Sequence, residues 1–586
     1  MDKLYFPCPD RVRRNWLDLR GTWQFCFDDE NTGWQQFTDP AFFDKEIQVP
    51  YSYHTKNSGL EIKEDHPIVW YKKTFSLDVL PEQNVLLHFE AVDYLCHVYV
   101  NGHFAGMHQG GHTPFTLEIS RFLEEENEIV VRVEDYTRCN QPIGKQSWKD
   151  HNFLCWYTRT IGIWQSVWLE VVGSSWISSF KITPEIDDAK IDVDVQIEGK
   201  EDVYLVGQIY FQGRLLNTFS STFKSRRARI SVDVSDEEAN FRLHFWSCAD
   251  PNLYDIRFSL FSEQELQDEV ESYFGMRKIE RKDNQIYLNN QLFYQKLILD
   301  QGYFKDGGLS ATADELKKDV ELIKAMGFNG ARKHQKIEDA RYMYLCDVLG
   351  LVMWAEMPSS FEYSSLANEN TVRELYAFVD KHYNHPSVIC YTLLNESWGI
   401  NEVYSNKAEQ YFVQALYSLV KSLDPSRLVI GNDGWEQAAT DILAIHDYNN
   451  DPASLKESYK DLEKAAKGTP SKTSLRHCFA QGFGYENHPF MISEYGGIAY
   501  DTGTNEQNES WGYGTRLTDP NEILEKIAAL TKAVFEIEGL CGFCYTQLSD
   551  VEQEINGLLD HNHEPKFDPA KIAAIFSENN HGFIFE

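Results

Sequence analysis

Apolar and polar residues alternate in short runs over the first half of the chain and recur at helical spacing over the second. In residues 1–175 the runs TWQFCFDD, IQVPYSY, IVWYKKTFSL, NVLLHFEAV, LCHVYVNGHFAG, EIVVRVEDY and GIWQSVWLEVVG read as strands, and Asn101–Gly102 as a two-residue hairpin loop. Residues 176–280 repeat the pattern in WISSFKITPEI, AKIDVDVQIEG, DVYLVGQIYFQG, RARISVDV, RLHFW, YDIRFSLFS and VESYFGMRKIE. Seven strands in about a hundred residues predict an immunoglobulin-like sandwich. No Pro- or Gly-rich linker separates the two sandwiches, so they are expected to pack directly.

Over residues 281–586 continuous apolar runs alternate with amphipathic stretches. FYQKLILDQG, GFNGARKH, LVMWAEMP, VICYTLLNE, RLVIGNDG, ILAIHDYNN, FMISEYGG and GFCYTQLSD read as buried strands. In DELKKDVELIKAMG, Leu316, Val320, Ile323 and Met326 recur at three- and four-residue steps, with Thr312 or Asp314 to cap the helix and Gly327 to end it. Eight such strands, most followed by a helix or long loop, predict a (β/α)8 barrel.

Active residues of such barrels lie where strands end. Polar residues gather at those ends: Asp300, then Arg332 and His334, Glu356, Asn395 and Glu396, Asn432 and Asp433, His446 and Tyr448, Glu494, and Gln547. The opposite ends carry no comparable set. Glu396 after strand four and Glu494 after strand seven face each other across the barrel mouth. At about 5–5.5 Å, two carboxyls support double displacement at an anomeric carbon. Glu494 is then the nucleophile, and Glu396 protonates the leaving oxygen and later deprotonates water. Glu396 must hold a proton near neutral pH, and burial beside a second carboxylate is expected to favour this. Asn395 is placed to bond a sugar 2-hydroxyl, Tyr448 to orient Glu494, and Arg332 to keep Glu494 ionised. Glu356 is either a sugar ligand or a partner of Arg332. His446 and Asp433 are candidate pocket walls, and Trp398 either stacks on the aglycone or braces its loop.

Composition narrows the partners. Net charge is −35, which repels phosphate backbones and anionic membranes. No apolar run is long enough to span a bilayer, and the N-terminal residues lack the apolar core of a signal peptide. Eleven cysteines without framework spacing suit a reducing cytoplasm. Cys541 and Cys544 form a CxxC within a predicted strand, and no cluster has zinc-like spacing, so neither a metal nor a cofactor is expected.

LDLRGTWQF, VWYKKTF, FEAVDYLCHVYVNG, HQGGHTPF and GIWQSVWLE, followed by GFNGARKHQK, LNESWG and SEYGG, resemble glycoside hydrolase family two, the β-galactosidase, β-glucuronidase and β-mannosidase group. The resemblance covers nearly the whole chain. It implies a multidomain fold: an N-terminal jelly-roll β-sandwich that binds sugar (1–175), an immunoglobulin-like β-sandwich (176–280) and a catalytic (β/α)8 TIM barrel (281–586). It also implies Glu396 as acid/base, Glu494 as nucleophile and His334 as a sugar-hydroxyl contact. The sequence departs from the family in three places. Trp156 stands where galactosidases and glucuronidases commonly supply an acid from the first domain, with Asp150 six residues earlier as a substitute. Asn562 and Lys566 do not match the Asn-x-Lys that grips a glucuronide carboxylate. YTQLSDVEQEING replaces the Trp that often floors the sugar site, and its DVEQE is either a solvated loop or part of the pocket rim. The first expectation is therefore a β-galactosidase-like exo-hydrolase acting on an oligosaccharide or glycoside. Arabinosidase, galactofuranosidase or β-glucuronidase-type activity, or a carbohydrate-binding protein without turnover, are the alternatives, and a homo-oligomer is plausible from the large sandwich surfaces.

Overall fold

The computed structural model describes residues 3–200, 202–500 and 510–577. Its first unit is a sandwich of two antiparallel sheets. A four-stranded sheet orders Trp16–Asp18, Val167–Val172, Asn84–Phe89 and Phe115–Glu118; a six-stranded sheet orders Lys45–Val49, Gly21–Phe27, Ile68–Phe75, Asn127–Glu134, Leu95–Val100 and His103–Gln109. Alternate residues such as Phe25, Val69, Tyr71, Leu87, Val98 and Val131 point inward and form one core. The Asn101–Gly102 hairpin forms as expected, since Val100 pairs with His103 and both loop residues take positive φ, 49° and 78°.

The second unit is a sandwich of three and four strands. Ser175–Glu185, Lys190–Gly199 and Arg227–Asp233 face Arg214–Thr222, Tyr204–Phe211, Tyr254–Ser262 and Glu265–Phe274. Seven strands are present, but one differs from expectation. RLHFW makes only isolated bridges, Asp236–Arg242 and Phe245–Met276. The seventh strand is Arg214–Thr222, an edge strand whose side chains are mostly half-exposed. The two sandwiches pack directly: the buried Arg13 guanidinium joins Asp268 at 2.9 Å and Glu170 at 2.5 Å.

Eight parallel strands build the third unit: Gln295–Asp300, Gly330–Lys333, Val352–Glu356, Val388–Thr392, Leu428–Ile430, Leu443–His446, Phe490–Gly496 and Leu540–Thr546. Each sits beside its sequence neighbours, and the eighth pairs with the first. The fifth and sixth meet only through the bridge Gly434–Ile445. Nearly every strand residue is buried, because side chains fill the barrel on one face and meet the helices on the other. Helix α1 (Ala313–Ala325) starts at a capping box in which Thr312 and Glu315 satisfy each other's amides, so Thr312, not Asp314, is the cap. Helix α2 (Ala340–Leu349) is capped by Asp339, and α3 (Ser365–His382) by Ser364. The barrel is held to the first sandwich by Lys381–Glu90 at 2.8 Å. Its contact with the second includes Arg277, which donates to the Pro386 and Val388 carbonyls. All eleven cysteines are free thiols, and no helix among the described residues is long and apolar enough to cross a membrane.

Candidate active site

The site is assembled at the C-terminal ends of the barrel strands around one guanidinium. Arg332, on strand two, is wholly buried. Its Nε donates to Glu356 Oε2 at 2.6 Å and its Nη2 to Asn395 Oδ1 at 2.7 Å. Its Nη1 reaches Glu494 Oε1 at 2.8 Å and Asp433 Oδ2 at 2.9 Å. One planar fork thus fixes residues from strands three, four, five and seven. Burial disfavours the charges of Asp433 and Glu356, but Arg332, together with His446 at Asp433 and His334 at Glu356, outweighs it and holds both carboxyls below their usual range.

Glu396 follows strand four on an uncommon backbone. Glu396 and Ser397 take φ of 52° and 59°, a left-handed pair that non-glycine residues rarely adopt. The turn is over-determined by its neighbours. Glu396 N donates to Asp433 O at 2.9 Å, Ser397 N to Asn432 Oδ1 at 3.0 Å, and Ser397 Oγ to Glu436 Oε2 at 2.9 Å. This turn lifts the Glu396 carboxyl to the pocket, where its side chain is 21% exposed against 6% for Glu494.

Carboxylate oxygens of Glu396 and Glu494 lie within 4.8 Å of each other, with His446 between them. Glu494 Oε2 accepts a hydrogen bond from the Tyr448 hydroxyl. The Tyr448 ring stacks on Tyr513 with centroids 3.4 Å apart. Burial and the Glu494 charge push the Tyr448 phenol well above its usual pKa, so it remains a donor. Glu396 differs from expectation. Burial pushes its pKa up most strongly, but the bond to His446 and the charges of His446, Lys145 and His334 together outweigh burial and leave it below the ordinary value. Glu396, His446 and Glu494 offer three ligand atoms close enough for a cation. Their oxygens are already bonded to one another's partners, and the Arg332 guanidinium beside Glu494 opposes a metal.

The other expected site residues sort by depth. Arg332, Glu356 and Asp433 are fully buried, and Glu356 and Asp433 both pair with the Arg332 guanidinium. His334 is buried beside them, Nδ1 lying 3.1 Å from Glu356 Oε1, and burial lowers its pKa. Asn395 spends its carbonyl on Arg332, leaving its amide as a donor. Trp398 packs edge-on to Trp156 at 5.2 Å and tilted to Phe361 at 5.7 Å, inside a cluster completed by Trp148 and Phe153. Trp156 is buried within that cluster, and its Nε1 has no partner. Asp150 cannot replace the missing acid, because its side chain is 87% exposed beside His151. Lys566 is tied to Asp550 at 2.5 Å and Asn562 is at the surface, so neither is free to grip a carboxylate.

Two residues outside the expected set reach the same space. Lys145, from the first domain, is buried yet forms no ion pair among the described residues. Burial disfavours its charge, but the fields of Cys155, Glu554, Glu396 and Glu494 outweigh it and raise its pKa. The backbone of Lys145 is fixed by Tyr157 N on its carbonyl and by Gly144 N on Ser359 O of the barrel. Gly144 (φ +60°) must be glycine, since a Cβ would meet Gln335 O at 2.3 Å. Glu554, in the DVEQE stretch, is likewise buried. It accepts from Tyr157 at 2.6 Å and from Asn556 at 3.0 Å. That stretch is not a solvated loop: Glu552 and Gln553 also bond Asn152 of the first domain, at 2.6 and 2.7 Å. The GKQ around Lys145 and the acids of DVEQE were visible as polar residues, but nothing local shows that they meet.

Similar proteins agree with this architecture. The glycosyl hydrolases family 2 sugar binding domain matches residues 17–171, the family 2 model matches 176–277, and the family 2 TIM barrel domain matches 279–512. The chain is 26% identical over 417 residues to a beta-galactosidase of Thermoanaerobacter pseudethanolicus, covering 68% of this chain and 54% of that protein. It is 25% identical over 456 residues to a beta-glucuronidase of Streptococcus agalactiae serotype V, covering 71% of each. The chain spans about half the length of several curated relatives it matches. A beta-glucuronidase structure from an uncultured Clostridium sp. superposes with a TM-score of 0.77 at 18% identity, over 97% of this chain and 99% of that one. At that identity the likeness is one of fold. With three successive domain models matched in order, the chain belongs to glycosyl hydrolases family 2.

Proposed function

We propose that this chain is a retaining exo-glycosidase that removes a terminal sugar by double displacement. The observation that carries the reading is the pair Glu396 and Glu494, whose carboxylate oxygens lie within 4.8 Å. That spacing supports double displacement over the wider separation an inverting mechanism uses. Glu494 is aimed by Arg332 on one oxygen and Tyr448 on the other, as a nucleophile must be. Glu396 is the more accessible carboxyl and serves as acid, then base. Asn395 offers its amide to the sugar 2-hydroxyl. Glu494→Ala should abolish turnover, and azide should restore it with a glycosyl azide of inverted configuration. Wild-type configuration in that product, or no loss of activity, overturns the assignment.

For the sugar, the galactoside reading rests on relatives named beta-galactosidase. A second reading, a uronide, is favoured by Lys145, a buried ammonium beside Glu396 and Glu494 that forms no ion pair among the described residues. Relatives named beta-glucuronidase accord with it. A panel of aryl β-galactosides, β-uronides and furanosides separates these readings, and turnover of none by the folded protein would favour a carbohydrate-binding role.

A further inference from the structure

His446 ends barrel strand six and is almost wholly buried. Both ring nitrogens face carboxylates carried by other strands. Nδ1 lies 2.9 Å from Glu396 Oε1, and Nε2 lies 3.3 Å from Glu494 Oε1 and 3.5 Å from Asp433 Oδ1. Among the described residues the one other charged group facing it is Arg332, whose Nη1 is 3.3 Å from Nε2. The ring cannot turn away. Trp435 meets it edge-on at 5.7 Å, and Gly434 approaches so closely that a Cβ there would lie 2.9 Å from Nδ1. An imidazole clamped this way hydrogen-bonds Glu396 and stands at ion-pair distance from Glu494, although it was expected only as a pocket wall.

Three carboxylates surround the Arg332 guanidinium and a fourth, Glu396, meets the ring, so a positive charge on the ring offsets part of the excess negative charge. The same charge holds Glu396 ionised in the resting site, whereas an acid catalyst must carry a proton when the leaving oxygen departs. The two requirements meet if the proton has somewhere to wait.

We propose that His446 is the positioning residue that stores the catalytic proton for Glu396, an inference that rests on the roles given above to Glu396 and Glu494. In the resting site the proton sits on Nδ1. As Glu494 attacks the anomeric carbon its negative charge is consumed in the new C–O bond, and the ring loses the charge that favoured its cationic form. The Nδ1–H bond breaks and an O–H bond forms on Glu396, leaving a neutral imidazole and a carboxylic acid. That acid protonates the leaving oxygen and returns to carboxylate. In the second half Glu396 takes a proton from water as the hydroxyl oxygen bonds the anomeric carbon. Glu494 leaves as carboxylate, and its restored charge draws the proton back to Nδ1. Each cycle consumes one water and returns every site proton.

The test compares kcat/KM against pH for wild type and His446→Asn, whose amide keeps a hydrogen bond but does not titrate. The basic limb should move to lower pH by one unit or more. Glycosides with poor leaving groups should lose at least tenfold more rate than dinitrophenyl glycosides. An unmoved basic limb with a uniform loss makes His446 structural and overturns the proposal. Nitrogen NMR of the histidine-labelled resting protein needs neither turnover nor a variant that folds. His446 should carry two ring protons at pH 8, and a neutral ring at pH 7 overturns the proposal. If wild type turns over no glycoside while the NMR shows the imidazolium, the glycosidase reading fails and the resting charge state stands.

Discussion

The Tyr448 hydroxyl bonds the Glu494 carboxylate on the oxygen opposite the one held by Arg332. With both oxygens occupied, Glu494 is held in one orientation. Tyr448→Phe removes a donor to a charged group, which contributes about 1.5–3 kcal/mol. Turnover should fall roughly 10–100-fold with KM little changed. Steady-state kinetics on a single aryl glycoside check this.

Glu396→Ala should lose about 10²–10⁴-fold with poor leaving groups, the usual contribution of a general acid, and far less with activated aryl glycosides. Equal losses for both would remove Glu396 from the acid role. Hydrolysis rates across a series of leaving-group pKa values give the answer.

Lys145→Met should weaken binding of an acidic sugar. A lost charge-assisted hydrogen bond of about 1.5–3 kcal/mol corresponds to roughly a 10–100-fold fall in kcat/KM. Neutral glycosides should change little. If they fall equally, Lys145 grips a hydroxyl and the galactoside reading gains.

Asp339 caps helix α2 and holds the buried Arg341 through its Nε at 2.8 Å and Nη2 at 2.6 Å. Burial alone would raise the Asp339 pKa, but Arg341 brings it down from 3.8 to about 2. A depressed carboxyl contributes stability that is present above pH 3.8 and lost as pH falls through about 2. Asp339→Ala strands the guanidinium and should cost about 3–5 kcal/mol at pH 7. Thermal unfolding should show the wild-type advantage shrinking across that acidic window.

The barrel was legible because parallel strands are buried on both faces and read as unbroken apolar runs. Seven of the eight form within their predicted stretches and the eighth starts two residues early, at Leu540, while Thr312 announced its helix through Glu315. Arg214–Thr222 escaped notice because an edge strand need bury little, so RLLNTFSST shows weak alternation. RLHFW looked more like a strand yet makes only single bridges. Glu396 and Glu494 stood out because an apolar run stops at each. Lys145 and Glu554 did not, because their meeting depends on how the first domain docks on the barrel. Asp433 and Glu356 were visible as polar strand ends, but depth below the mouth is not encoded in polarity.

The segment 141–160 consequently gives the molecule a division of labour along its length. The two carboxyls proposed to react come from the barrel strands, whereas Lys145, whose charge both of them feel, is delivered from more than two hundred residues earlier, its neighbour Gly144 locked against the barrel. An excised barrel would keep its reactive carboxyls and lose its discrimination. Exchanging this segment between relatives is therefore a route to new substrates that leaves the chemistry untouched.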